Sequence, residues 1–140
     1  MTDPKPIDRE FLLRELRELL AAPVREETQL DGSIVMIGGD PGEVIVRVSP
    51  GKVSVAVFSV RWEGPHTPVV RPKHFATLSW RRLPASTLMM TLHDLIRAAR
   101  EVRKATYRRC ERCGEMKPPE WMHDEKTCQS CAERHLGVVH

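Results

Sequence analysis

An α+β fold is predicted by three features of the chain. An amphipathic helical run lies near the start, a central stretch repeats its apolar residues every second position between Pro-Gly turns, and a second helical run lies near residue 90. The 140 residues are 41% hydrophobic and 29% charged. That is enough apolar material for one core, plus an appendage too small to bury a core of its own. The expected organisation is an α+β domain over 1–106 and a mini-module over 107–140.

Residues 8 to 22 place Phe11, Leu12, Leu16, Leu19 and Leu20 on one helical face and leave Arg14, Glu15, Arg17 and Glu18 for solvent. Asp8 is the expected N-cap, Ile7 can staple onto Leu12, and Pro23 stops the run because it has no amide hydrogen. β-Branched residues then alternate over Ser33 to Ile37, Glu43 to Val48 and Val53 to Trp62, which reads as three strands. Gly38-Gly39-Asp40-Pro41-Gly42 and Ser49-Pro50-Gly51-Lys52 are turn sequences between them. Such short links require antiparallel neighbours, because parallel ones need a crossover. Val44, Val46 and Val48 should then share a face with Val53, Val55 and Val57.

Pro65, Pro68 and Pro72 make residues 64 to 73 a rigid loop or distorted edge, and His74 to Arg82 alternates as a fourth strand. After Pro84, with Ser86 or Thr87 as cap, Leu88, Leu92, Leu95, Ile96, Ala99 and Val102 have the spacing of a helix packed on the sheet, running to about residue 106. Trp62 and Trp80 alternate with polar neighbours and are expected at the core or its edge.

Charge is uneven along the chain. Residues 1 to 50 hold 6 Lys and Arg against 10 Asp and Glu, for −4, whereas residues 51 to 140 hold 16 against 9, for +7. A polyanion would meet the second half first. The opening MTDPKPIDRE has no basic stretch followed by an apolar run, and no segment reaches the roughly 18 apolar residues of a membrane span. The expected location is cytoplasmic, without membrane association.

All four cysteines fall in CERCGEMKPPEWMHDEKTCQSC, as two CxxC pairs 14 residues apart. In a reducing compartment such pairs bind metal more readily than they form disulfides. Two thiolates two residues apart can grip a tetrahedral ion from one tight turn, and a second pair closes the coordination sphere at about 2.3 Å per bond. Cys110, Cys113, Cys128 and Cys131 are therefore the candidate ligands of one structural Zn2+, and Gly114 suits a positive φ just after the first pair. Three other readings use the same residues: a redox dithiol, an iron–sulfur cluster, or a site in which His123 or His135 replaces one thiolate. Four thiolates on one ion leave no open position for a substrate, so the metal should stabilise structure and not perform chemistry.

The segment Tyr107-Arg108-Arg109-Cys110-Glu111-Arg112-Cys113-Gly114, followed by Cys128-Gln129-Ser130-Cys131-Ala132-Glu133-Arg134, resembles treble-clef and zinc-ribbon modules. In particular it is similar to the finger of the DksA/TraR family of RNA-polymerase-binding regulators, over about residues 107–135. The resemblance implies a bound zinc and a binding role toward transcription-type machinery. Similar fingers in bacterial chaperones serve as dimerisation and substrate-docking modules.

Arg97, Arg100, Lys104 and Arg108 would lie on one face of a helix that continued that far, and Arg109 and Arg112 follow in the finger. A basic stripe leading into a zinc module is a nucleic-acid footprint, and the competing reading is a solvated helix face. Trp121 and Met122 sit in the finger's long loop, either as its own mini-core or as an anchor for a protein partner. Neither a phosphate loop nor a nucleophile motif is present, since Gly38-Gly39-Asp40-Pro41-Gly42 lacks the Lys that should follow.

The leading expectation is a non-enzymatic zinc-binding accessory or regulatory protein of bacterial type, associated with nucleic acid through the basic helix and finger. The alternative is a protein-interaction adaptor using finger and α+β domain as docking surfaces. A third reading is an enzyme with its site near His66 and His74.

Overall fold

The structure, a computed structural model, describes residues 7–65, 67–137 and 139. Its first element is helix α1, Arg9–Leu19. Asp8 caps it as expected, its side chain accepting a 2.7 Å hydrogen bond from the Phe11 amide. The helix ends three residues before the expected point. The Leu20 amide still bonds the Leu16 carbonyl, but Leu20 itself is extended and turns its side chain into the core.

Strands β1 (Val24–Thr28), β2 (Ile34–Gly38), β3 (Val44–Val48), β4 (Val53–Val57) and β7 (Lys73–Leu78) form one antiparallel sheet in the order β1-β2-β3-β4-β7. The hairpin pairs Val44 with Val57, Val46 with Val55 and Val48 with Val53, so these side chains share the buried face as the alternation requires. Against them pack Leu12, Leu13 and Leu16 of α1 and Leu88, Leu92, Ile96 and Ala99 of α2 (Ala85–Lys104). Each fully buried large aliphatic side chain contributes about 1.5–3 kcal/mol of transfer free energy. Trp80 lies in this core, its indole N–H donating to the Ser49 carbonyl at 2.9 Å.

Four boundaries differ from expectation. Strand β1 lies between the helix and the first expected strand, in a stretch for which no element is expected. Its sequence Val-Arg-Glu-Glu-Thr is solvated along its length apart from half-buried Val24, and a solvated edge carries no alternation. The run from Val53 to Trp62 is two strands, because the chain leaves the sheet after Val57. Its end becomes β5, Val60–Trp62, paired with β6, Pro68–Val70, in a separate hairpin, so Trp62 is 41% exposed and not at the core edge. Strand β7 stops at Leu78, before Trp80. Helix α2 starts after Pro84 without a side-chain cap and ends at Lys104, so Arg108 leaves the helical stripe for β8, Arg108–Arg109. Val102 is exposed while Arg103, one residue on, is buried at 2%.

Candidate metal centre

The module begins where α2 ends. Strand β8 pairs with β9, Met116–Lys117, and the first CxxC forms the loop of this small hairpin. The Cys110 amide donates to the Glu115 carbonyl at 2.9 Å, and the Gly114 amide donates to the Cys110 carbonyl at 2.8 Å. That turn requires φ = +75° at Gly114, the value expected from its position behind Cys113. A 3-10 turn, Pro119–Trp121, and a loop then lead to helix α3, Gln129–Leu136. Cys128 is the N-cap residue of α3 and Cys131 lies in its first turn. Asp124 closes the loop, its Oδ1 accepting the amides of Lys126 and Thr127 at 2.8 Å each.

Hairpin loop and helix start bring all four sulfurs within 4.8 Å of one another. Cys113 and Cys128 Sγ are 4.0 Å apart, beside the ~3.8 Å edge of a tetrahedron with 2.3 Å metal–sulfur bonds. Cys110, Cys128 and Cys131 are buried, Cys113 is exposed, and all four are free thiols. The backbone N–H groups of Cys113 and Cys128 bring the Cys110 thiol down to about 6 against the opposing effect of burial; the Cys128 amide lies 3.4 Å from its sulfur. Burial, reinforced by hydrogen bonds to the neighbouring thiols, pushes Cys131 up to about 12. Four thiolates packed this closely repel one another, and a divalent cation among them removes that repulsion. The donor set and spacing thus fit a metal ion. Among the described residues the cluster consists of these four cysteines, and neither His123 nor His135 belongs to it.

The module is fastened to the α+β layer through Arg103. Its Nε donates to the Gly42 carbonyl at 2.9 Å, its two terminal nitrogens reach both carboxylate oxygens of Glu120, and its guanidinium stacks 5.0 Å from Phe58 and 5.1 Å from Tyr107. Gly42 has no room for a side chain, because a Cβ there would stand 2.5 Å from the Phe58 ring. Beside this clamp Arg100 donates to Glu43 at 2.8 Å, and Lys104 lies 3.9 Å from the same carboxylate. Arg103 and Glu120 were not singled out from the sequence. The signal was there: Leu88, Leu92, Ile96, Ala99 and Arg103 continue one buried stripe.

The other sequence candidates separate. Arg97 is exposed and 3.7 Å from Glu101. Arg109 donates to the Gly114 carbonyl, and Arg108 and Arg112 are exposed on the hairpin. Met122 is buried with Cys110, Cys128 and Cys131 in the module's own small core, while Trp121 beside it is 40% exposed. His74 bonds the Thr77 hydroxyl at 2.8 Å on β7, and His66 lies outside the described residues.

Fold and site together define an α+β protein carrying a C-terminal, zinc-finger-like four-cysteine module. No family model, curated protein or solved structure matches the chain. Among the described residues no helix is long and apolar enough to cross a membrane.

Proposed function

We propose that this chain is a non-enzymatic, zinc-stabilised adaptor in which the module of residues 107–140, held against the α+β domain of residues 1–106, docks a protein partner. Trp121 carries this reading: an indole 40% exposed stands directly beside residues fixed by the metal site and by the Glu120–Arg103 pair. A large aromatic side chain on a rigid support is the usual anchor of a protein interface. Zinc is the metal of choice because four thiolates in tetrahedral array suit it, and a cluster of several irons would spread the thiolates further apart than a single ion does. With every position filled by sulfur, the ion organises the module and leaves no site for substrate.

Pull-downs with the zinc-loaded wild type and with Trp121→Ala test the adaptor reading. Selective loss of the recovered partners supports it, and identical recovery from both removes Trp121 as the anchor.

A second reading, association with nucleic acid or transcription-type machinery, is favoured by Arg108, Arg109 and Arg112 around the first CxxC, with Arg97 on α2. The stripe supports it less than its sequence suggests, because Arg100 and Lys104 share Glu43. Absence of binding to generic DNA and RNA at roughly 50 mM salt, where backbone contacts are strongest, would exclude this reading.

A further inference from the structure

The β5–β6 hairpin and the metal module face each other across an open groove of about 970 Å³. The hairpin contributes Trp62, Pro65 and Pro68, and the module contributes Trp121 with the loop that carries Asp124 and Glu125. The two indoles are 41% and 40% exposed, from elements distant in sequence. Indole and proline surfaces of this kind take extended segments, whose side chains lie on the rings while the backbone stays hydrated.

The charge of the walls narrows the occupant. Glu120 is neutralised by Arg103. Leaving Glu120 and Glu133 out of the balance and counting His123 as neutral in the formal charge, Asp124 and Glu125 still outnumber Arg108 in the lining. A phosphate backbone entering here would meet net negative charge, whereas a guanidinium or ammonium would meet carboxylates and the faces of two indoles. Trp121 already has the Lys117 ammonium 5.7 Å from its ring centre.

We propose that this groove binds an extended, basic protein segment, with arginine or lysine side chains at Asp124 and Glu125 and the remainder laid on Trp62 and Trp121. The inference rests on the adaptor reading and names the chemistry of its partner.

The test is fluorescence anisotropy on the zinc-loaded full chain with three labelled probes: an alternating Arg-Pro peptide of about eight residues, its Glu-Pro counterpart, and a single-stranded oligonucleotide. The Arg-Pro peptide should bind saturably and the Glu-Pro peptide should not. Trp62→Ala and Glu125→Lys should each weaken binding at least about tenfold, a loss of roughly 1.4 kcal/mol. Both substitutions lie away from the metal ligands, and unchanged zinc content and circular dichroism will show that the fold persists. Wild-type affinity for the Arg-Pro peptide in either variant, or no binding of it by the wild type, overturns the proposal. Trp62-dependent binding of the Glu-Pro peptide overturns it too but leaves the adaptor reading standing, because the groove would then hold a partner of other charge. Preference for the oligonucleotide overturns it in favour of nucleic acid. The adaptor reading itself falls only if Trp121→Ala recovers the same partners as wild type.

Discussion

At the scale of single residues, Arg103 joins the α+β layer to the module. It is the buried link among Gly42, Glu120, Phe58 and Tyr107. Removing one partner of a buried ion pair leaves the other uncompensated, so Arg103→Ala should destabilise the protein by about 3–5 kcal/mol in urea unfolding. Arg103→Lys should rescue little, since an ammonium cannot form the two-pronged contact with Glu120 while stacked between two rings. A change within about 0.5 kcal/mol in the alanine variant would show the clamp to be ornamental. The thiols lead to a second expectation, with the sign set by deprotonation. Metal binding expels thiol protons, so acid opposes it. The Cys110 thiol, held at about 6, stays ionised to lower pH than an ordinary cysteine, and Cys131, held at about 12, loses its proton only when the metal displaces it. Apparent zinc affinity in a chelator competition should therefore fall steadily from pH 9 toward pH 6. Affinity constant across that window would argue against thiolate ligation.

At the scale of elements, the structure makes clear how far the sequence could be read. The hairpin β3–β4 was legible because valines at alternate positions faced each other across a Pro-Gly turn. Helix α2 was legible through Leu88, Leu92 and Ile96, although the face was read one residue out at its end, where Arg103 and not Val102 is buried. Leu92→Ala should accordingly lower stability by about 2–5 kcal/mol. Val102→Ala should stay within about 0.5 kcal/mol in the same denaturation experiment. Equal losses would mean that α2 is rotated on the sheet. Strand β1 escaped notice because its side chains, Val24 aside, face solvent and its place is set by pairing with β2, which no local pattern encodes. The break after Val57 escaped for the converse reason: Phe58 to Trp62 looks like continued strand, yet Val60–Trp62 pairs with Pro68–Val70 in a separate hairpin.

At the scale of the whole molecule, an apolar α+β core and a four-cysteine module meet at a seam of buried charge. The cysteine spacing was enough to read that the four sulfurs cluster, because two CxxC pairs are a local pattern. What could not be read was the surroundings: Glu120 pairing with Arg103, Met122 filling the small core, and Trp121 coming to face Trp62 all depend on how the module is docked. The core has its own packed layers, while the module buries only Pro118, Met122, Thr127 and Ala132 beside three of its cysteines among the described residues. Chelation should thus expose the amides of β8, β9 and α3 to hydrogen exchange while those of β3 and β4 remain protected. Simultaneous loss of protection in both regions would show that metal holds the entire fold.

The most direct measurement is the metal content of reduced, purified protein, taken with far-UV circular dichroism before and after strong chelation. The account predicts one zinc per chain, with loss of α3 helicity when the ion is withdrawn. Protein that carries no stoichiometric metal, or that keeps its spectrum unchanged after the metal has gone, would contradict it.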